Sequence, residues 1–391
     1  MKKNYLATVV CGALLGPSLV QAEVTLYDYQ EASSAYEDAY VSGDLNVTKN
    51  RGDDQAAYNL NLGVDFDRTL SSADRDLNVR GDLNGSVSRA GTSGADSESS
   101  YTAGLSATYD KYFVPGSNGA FWFGSASLRA NDAFDDLETT ASAGVGYGRV
   151  TNVTPMAKTI RVMDELVHRG ILNAKPAKSV YQQVAGIVAK ESEYASRHGS
   201  DYELKWLGDI ETAIKSGGGV ANLGAAGVLK IRDVLVDENI SLRRYGWKVR
   251  AGLGYVGTNF DGLTDKPLLT AGAEYHQPLS NQTQLSNEAT FNAIVNDGDN
   301  GYNFNNQLSL THEVDDRIDW ENTWNLNYAK NTASGDDVTT NSIRSSFIYE
   351  ISNSLDFTTT ARISNVSGSS DMNNPDGTDR ALLMGVRYRL R

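Results

Sequence analysis

Four histidines, His168, His198, His276 and His312, are the only imidazoles available to this 391-residue chain for base catalysis, proton relay or metal ligation. His168 and His198 stand near the ends of helical stretches, where a cation complements the helix dipole. His276 follows Glu274 on one face of an alternating stretch, and His312 takes the opposite parity near the end of another. A serine hydrolase needs a serine, a base and a third, orienting group within reach of one another. No spacing singles out such a set, and GxSxG, HExxH and phosphate-cradling loops are absent. In Asp297-Gly298-Asp299-Asn300-Gly301 the glycine and the following glutamate are misplaced for a calcium loop, so the segment reads as a hairpin turn. The sequence thus predicts no catalytic residue, metal site or cofactor. What remains is charge arranged with a period of two. Asp65, Asp67, Arg80, Asp82, Lys248, Arg250, Glu274, Glu288, Asp319, Glu321, Arg344, Glu350, Arg362, Arg387 and Arg389 each share a face with polar or glycine neighbours, opposite an apolar face.

The elements that carry these charges are strands. Tyr58, Leu60, Leu62, Val64 and Phe66 share one face while Asn59, Asn61, Gly63, Asp65 and Asp67 share the other. Trp247, Val249, Ala251, Leu253 and Tyr255 oppose Lys248, Arg250, Gly252 and Gly254, and Leu382 to Leu390 repeats the pattern near the carboxyl end. Six such stretches are predicted near 39–50, 55–69, 76–90, 100–113, 119–131 and 137–150. Eight follow near 245–259, 266–279, 283–295, 302–314, 317–332, 339–352, 355–368 and 379–391, about 14 in all with a range of 12–16. A soluble sandwich also alternates, but its strands centre on about 5–6 residues, whereas these run about 9–11, the length that crosses a bilayer at a tilt. Several of the 20 tyrosines, among them Tyr58, Tyr101, Tyr147, Tyr255, Tyr302 and Tyr388, cluster toward stretch ends, as an interfacial aromatic girdle requires.

In this patterning the chain resembles the outer-membrane β-barrels of Gram-negative bacteria over nearly the whole of its length outside one insert. The resemblance is architectural, without a family motif, and the terminal Tyr388-Arg389-Leu390-Arg391 departs from the aromatic last residue such barrels favour. It implies an all-β membrane barrel of antiparallel strands, with the charges named above lining a lumen. If the first strand starts in the periplasm, the connections after even strands are short periplasmic turns. Those after odd strands are longer and acidic, with Asp53/Asp54, Asp96/Glu98, Asp135/Asp136, Asp261/Asp265, Asp297/Asp299, Asp336/Asp337 and Asp371/Asp376. The charges either leave a pore open or pair across the lumen and fill it. A porin-like channel or transporter for small polar solutes with a mildly cation-preferring pore is the first expectation. A barrel that anchors a docking domain is the second, and a hydrolase centred on His276 the weakest.

Between the sixth and seventh strands the period becomes helical. Residues 154–243 carry Thr154-Pro155 as a helix start, then stripes Ile160/Met163/Val167, Val180/Val184/Ile187/Val188/Tyr194, Leu204/Leu207/Ile210/Ile214 and Leu229/Val234/Leu235. These predict four amphipathic helices, the second from 179 to 198, packed as a small domain on the periplasmic side. A lumen of about 14 strands is too narrow to hold all four as a plug. The division expected is a secretory signal at 1–22, barrel at 23–153, insert at 154–243 and barrel at 244–391. Cys11, the single cysteine, falls in the signal, and Val10 before it argues against a lipoprotein site. Removing Lys2 and Lys3 from 35 basic residues leaves 33 against 49 acidic ones, a balance that disfavours nucleic acid. The partners expected are outer-membrane lipid and lipopolysaccharide, and a periplasmic protein or cell-wall component through 154–243.

Overall fold

The computed structural model describes residues 24–29, 33–49, 51, 53–217, 222–258, 260, 264–295, 301–330, 337–368 and 376–390. The expected signal with Cys11, and Asp261, Asp297, Asp299, Asp336 and Asp371 of the outer connections, lie outside the described residues. Period-two segments pair with their neighbours in sequence, because short turns bring consecutive strands side by side. Six precede the insert: β1 (Ser34–Thr48), β2 (Ala57–Ser71), β3 (Arg75–Arg89), β4 (Ser97–Tyr112), β5 (Ala120–Asn131) and β6 (Glu138–Asn152). Eight follow it: β7 (Arg244–Thr258), β8 (Thr264–Pro278), β9 (Thr283–Ile294), β10 (Tyr302–Asp315), β11 (Ile318–Lys330), β12 (Asp337–Ser352), β13 (Leu355–Ser367) and β14 (Gly377–Leu390). All pairs are antiparallel, and β1 meets β14 from Ala39↔Leu390 to Gly43↔Val386, so the sheet is a closed barrel. Closure leaves no unpaired edge, the condition for a sheet to sit in lipid. The fold is an outer-membrane-type β-barrel.

The strands run from 12 to 16 residues, the same span as the predicted stretches and more than the roughly 9–11 needed to cross a bilayer at a tilt. Outward positions carry exposed apolar side chains, such as Leu62, Leu105, Val145, Leu253, Ile343 and Met384. Aromatic pairs flank this belt, with Tyr109/Trp122 and Tyr147/Trp247 at one end and Tyr302/Tyr328 at the other. No helix among the described residues is long and apolar enough to cross a membrane.

Among the described residues the insert contains five α-helices, α1 (Thr154–His168), α2 (Lys178–Val188), α3 (Glu191–His198), α4 (Tyr202–Ser216) and α5 (Gly224–Arg232), with a short 3-10 turn at Gly199–Asp201 and a π turn over Asp233–Asp237 after the last. The single helix expected over 179–198 is broken at Ala189-Lys190. In an unbroken helix the Ile187 carbonyl would accept from residue 191; here it accepts the indole N–H of Trp206 at 2.9 Å and the Lys190 N–H instead. The start of α1 is also capped differently from expectation. Asn152 Oδ1 accepts the Thr154 N–H at 3.0 Å, while Thr154 itself lies inside the helix. Met156, Met163, Leu166, Val184, Trp206 and Ile210 form the centre of the insert's core. Leu204 and Leu229, expected in that core, are instead 75% and 66% exposed.

The insert sits at the barrel end where β6 finishes and β7 begins, the end that also holds the turns after the other even strands. Glu313, at the end of β10, is buried and ties the two together. It accepts hydrogen bonds from Arg161 of α1, from Ser241 N and Oγ at 3.0 and 3.1 Å, and from Arg243 at 2.8 Å. Arg243 also donates to the Asn281 carbonyl in the β8–β9 turn at 3.1 Å. The amino-terminal segment straps the junction. Leu26 and Tyr29 are buried in the insert's core, Asp28 pairs with Lys178 at 2.8 Å, and the Tyr27 hydroxyl donates to the Pro278 carbonyl of β8 at 2.6 Å.

Candidate functional site

Every charged residue singled out by alternation falls on the inward parity of the register. Asp65 faces Asp82 across β2–β3, Lys248 faces Glu274 across β7–β8, and Glu274 faces Glu288 across β8–β9. Glu321 faces Ser346 and Arg344 faces Arg362 around β11–β13, while Asp319 neighbours Ile348 and Glu350 faces Asp356. Arg387 and Arg389 face Ser42 and Tyr40 of β1, and Asp67 neighbours Arg80. What the sequence left open is how these charges meet, and the two sides of the lumen differ.

On the side bounded by β3 and β9 the charges are zipped together. Arg80 of β3 reaches over the lumen to Glu288 of β9, with hydrogen bonds of 2.9 and 3.3 Å, and also approaches Asp67 at 3.5 Å. Glu288 takes a second cation, Arg244, at 3.1 Å. Within that chord Asp110 of β4, 2% exposed at its side chain, accepts from Lys248 at 2.9 Å and lies 3.4 Å from Arg250, which donates to Glu274 at 2.8 Å. Three planar, bidentate-capable guanidiniums, one ammonium and four carboxylates make a lattice that neutralises itself. Beside it lies a small apolar cluster: Phe121, Phe123 and Tyr112 are buried, with Tyr112 and Phe121 rings 5.3 Å apart. The Arg149 guanidinium lies 4.0 Å over Tyr112, and Tyr112 donates to Asp76 at 3.0 Å. Glycine is required opposite this cluster, since a Cβ at Gly146 would overlap the Phe121 ring.

The other side, from β11 through β14 and β1 to β3, is not zipped. Arg387 pairs with Asp356 at 3.0 Å and stacks its guanidinium 4.2 Å over Tyr40. Asp65, Asp82, Arg344 and Arg362, by contrast, are exposed toward the lumen and have no counter-ion within salt-bridge reach among the described residues. A cavity of about 460 Å³ runs along this wall, with Ser42, Asp44, Asn61, Glu321, Arg344 and Thr360 in its lining. A second cavity of about 620 Å³ extends along the zipped side from Asn152 and Arg244 to Arg129 and Lys330.

Sequence reasoning missed Asp76, Asp110, Arg149 and Arg244, which complete the zipped side, and Phe121 and Phe123, which point inward. Parity was the available signal for all but Arg149, which pairs with outward Trp247: Phe121 and Phe123, for instance, share a face with Ser125, Ser127 and Arg129. His276 Nδ1 lies 2.9 Å from Ser286 Oγ, with Glu274 and Glu288 3.7 and 3.8 Å from Nε2. This triad-like set is sealed, since His276 is 1% and Ser286 5% exposed, and no substrate carbonyl can reach the hydroxyl. His312, on the outward parity, meets Thr283 at 2.8 Å. No group of metal-ligating side chains converges among the described residues.

Residues 240–372 match the family model described as DUF481, a protein of unknown function, which covers about a third of the chain. No curated protein matches. Among solved structures the chain is similar to the β domain of the Bordetella autotransporter BrkA, with a TM-score of 0.31 and 6% identity over 92% of this chain and 100% of that one. It is also similar to OmpT, an outer membrane protein of Vibrio cholerae, with a TM-score of 0.35 and 7% identity over 92% and 98%. For the KdgM porin the TM-score is 0.28, with 9% identity over 91% and 100%.

Proposed function

We propose that this chain is an outer-membrane channel for small polar solutes, oriented with its helical insert and both termini in the periplasm. The observation that carries the reading is the asymmetry of the lumen: both sides border a cavity, but ion pairs and aromatic rings neutralise and narrow one of them, while the side from β11 to β3 keeps exposed, inward-facing charge without a counter-ion in contact among the described residues. A pore in a closed barrel needs a water-accessible polar wall, and the β11–β3 sector supplies one whose exposed charges are not neutralised by contact with one another. Acids outnumber arginines on that wall, with Asp44, Asp65, Asp82, Asp319 and Glu321 among them, which supports a mild cation preference. Glu274 and Glu288 belong to the zipped lattice and contribute less to selectivity than their position on the inner face suggested.

The test is reversal potential in a planar bilayer under a salt gradient. The triple variant Asp65→Asn, Asp319→Asn, Glu321→Gln moves the reversal potential away from cation selectivity, while a barrel that is folded and heat-modifiable but silent contradicts a channel. A second reading, a barrel that presents the insert to a periplasmic partner, is favoured by Leu204 and Leu229, two leucines left exposed on otherwise amphipathic helices. Cross-linking of the full-length protein in cells, from single photoreactive residues at 204 and 229, captures one reproducible partner if that reading holds. No catalytic role is assigned: the Ser286 hydroxyl beside His276 is buried, and Thr283 beside His312 lies on the outward parity.

A further inference from the structure

Two like-charged pairs on the unzipped wall face each other with no compensation in contact. Asp65 and Asp82 are direct cross-strand neighbours on β2 and β3, and Arg344 and Arg362 on β12 and β13. Like charges directly opposite one another in a ladder destabilise it. All four side chains are exposed, and none has a hydrogen bond or a counter-ion within salt-bridge reach among the described residues. Elsewhere in the same lumen the pattern is reversed: Arg80, Arg244, Lys248 and Arg250 all find carboxylates. The two unmet pairs belong to strands that bound the same sector; Arg344 lines the cavity of about 460 Å³ and Asp82 the cavity of about 620 Å³, both within the usual range for small-molecule pockets.

We propose that the acid pair and the arginine pair form a binding site for a small zwitterion, a free amino acid or short peptide, whose ammonium is taken by Asp65 and Asp82 and whose carboxylate is taken by Arg344 and Arg362. Paired guanidiniums present the planar donor geometry a carboxylate fits. Paired carboxylates attract an ammonium and have their mutual repulsion relieved by it. A simple cation satisfies one pair and a simple anion the other; a molecule carrying both charges relieves both at once. The inference deepens the channel reading by naming a solute class, but binding at the site does not depend on flux.

The experiment is calorimetric titration of the refolded full-length barrel in detergent with glycylglycine, beside N-acetylglycine, which lacks the ammonium, and glycinamide, which lacks the carboxylate. Wild type binds glycylglycine saturably and both single-charge probes at least about tenfold more weakly. The double variant Asp65→Asn, Asp82→Asn loses the preference over N-acetylglycine, and Arg344→Gln, Arg362→Gln loses the preference over glycinamide. Arg344→Lys, Arg362→Lys, which keeps the charge but not the planar fork, retains saturable but weaker binding and controls for folding, together with heat-modifiability on gels. Absence of saturable binding by folded wild type, or binding unchanged in both neutralised variants, overturns the site. Swelling of proteoliposomes in the same probes separates the two readings: binding without swelling keeps the site and refutes the channel, and swelling in arabinose without saturable glycylglycine binding does the reverse.

Discussion

Replacing Glu313 by glutamine removes a single charge from the junction between barrel and insert. The Glu313 carboxylate is 2% exposed and faces Arg243, whose side chain is fully buried. Arg243 keeps the Ser241 and Asn281 carbonyls at 3.0 and 3.1 Å, so its hydrogen bonds survive in part, but its counter-ion does not. Breaking a buried ion pair from one side costs about 3–5 kcal/mol, because an uncompensated charge stays behind. Arg161 is less affected, since it retains Glu238 at 3.5 Å and Asp316 at 3.7 Å. The lower figure, about 3 kcal/mol, therefore applies, and it raises the undocked population of the insert roughly 100-fold. Hydrogen exchange of the full-length protein reads this directly. Peptides covering 154–168 and 233–243 lose protection by about that factor, while peptides from β2, β3 and β12 hold theirs. Unchanged exchange in the insert refutes the assignment of Glu313 as the latch, and parallel loss in the barrel strands shows instead that Glu313 holds the barrel itself.

Arg80→Gln cuts the chord between β3 and β9. Because the Arg80 side chain is 43% exposed, the cost in barrel stability is only about 1 kcal/mol, but unit conductance rises as the zipped side opens a second path beside the β11–β3 wall; an unchanged conductance shows that this chord is not what keeps the zipped side from conducting. Asp28 sets a pH dependence on the amino-terminal strap. Burial pushes its carboxyl up, but the hydrogen bond from Lys178 and those from Thr25 outweigh it and hold it below the ordinary value. A depressed carboxyl contributes stability that is present above its unfolded value, about 3.9, and is lost as pH falls through the lower folded value. Protease access to residues 24–29 therefore increases in that acid window in wild type, and in Lys178→Ala access is raised already at neutral pH with a smaller acid step; identical profiles contradict the pairing.

The strands and the inward or outward parity of their residues were legible because a sheet repeats every two residues, and a single slip would turn a whole apolar face into the lumen. Asp65, Arg344 and the rest of the charged set follow from that rule alone. Their partners do not. Arg80 and Glu288 are separated by 208 positions, and only closure of the barrel brings β3 and β9 face to face. Phe121 and Phe123 ran against the expectation that inward means polar; they are tolerated because β6 offers glycine at 144 and 146 opposite them, so the zipped side has a small core of its own. The break between α2 and α3 was hidden for a related reason. It depends on the Trp206 indole occupying the Ile187 carbonyl, a contact between helices that no local periodicity records.

The central claim is that the conducting path runs along the β11–β3 side and not through the zipped lattice. Single cysteines placed at Ser42, in the lining of the open cavity, and at Ser286, sealed behind Glu288, test it most directly when a charged, water-soluble thiol reagent is added to the reconstituted protein in a bilayer. With Cys11 replaced by serine in both, current falls on modification of the Ser42→Cys protein and is unaffected in Ser286→Cys. Block at Ser286→Cys with no effect at Ser42→Cys contradicts the account.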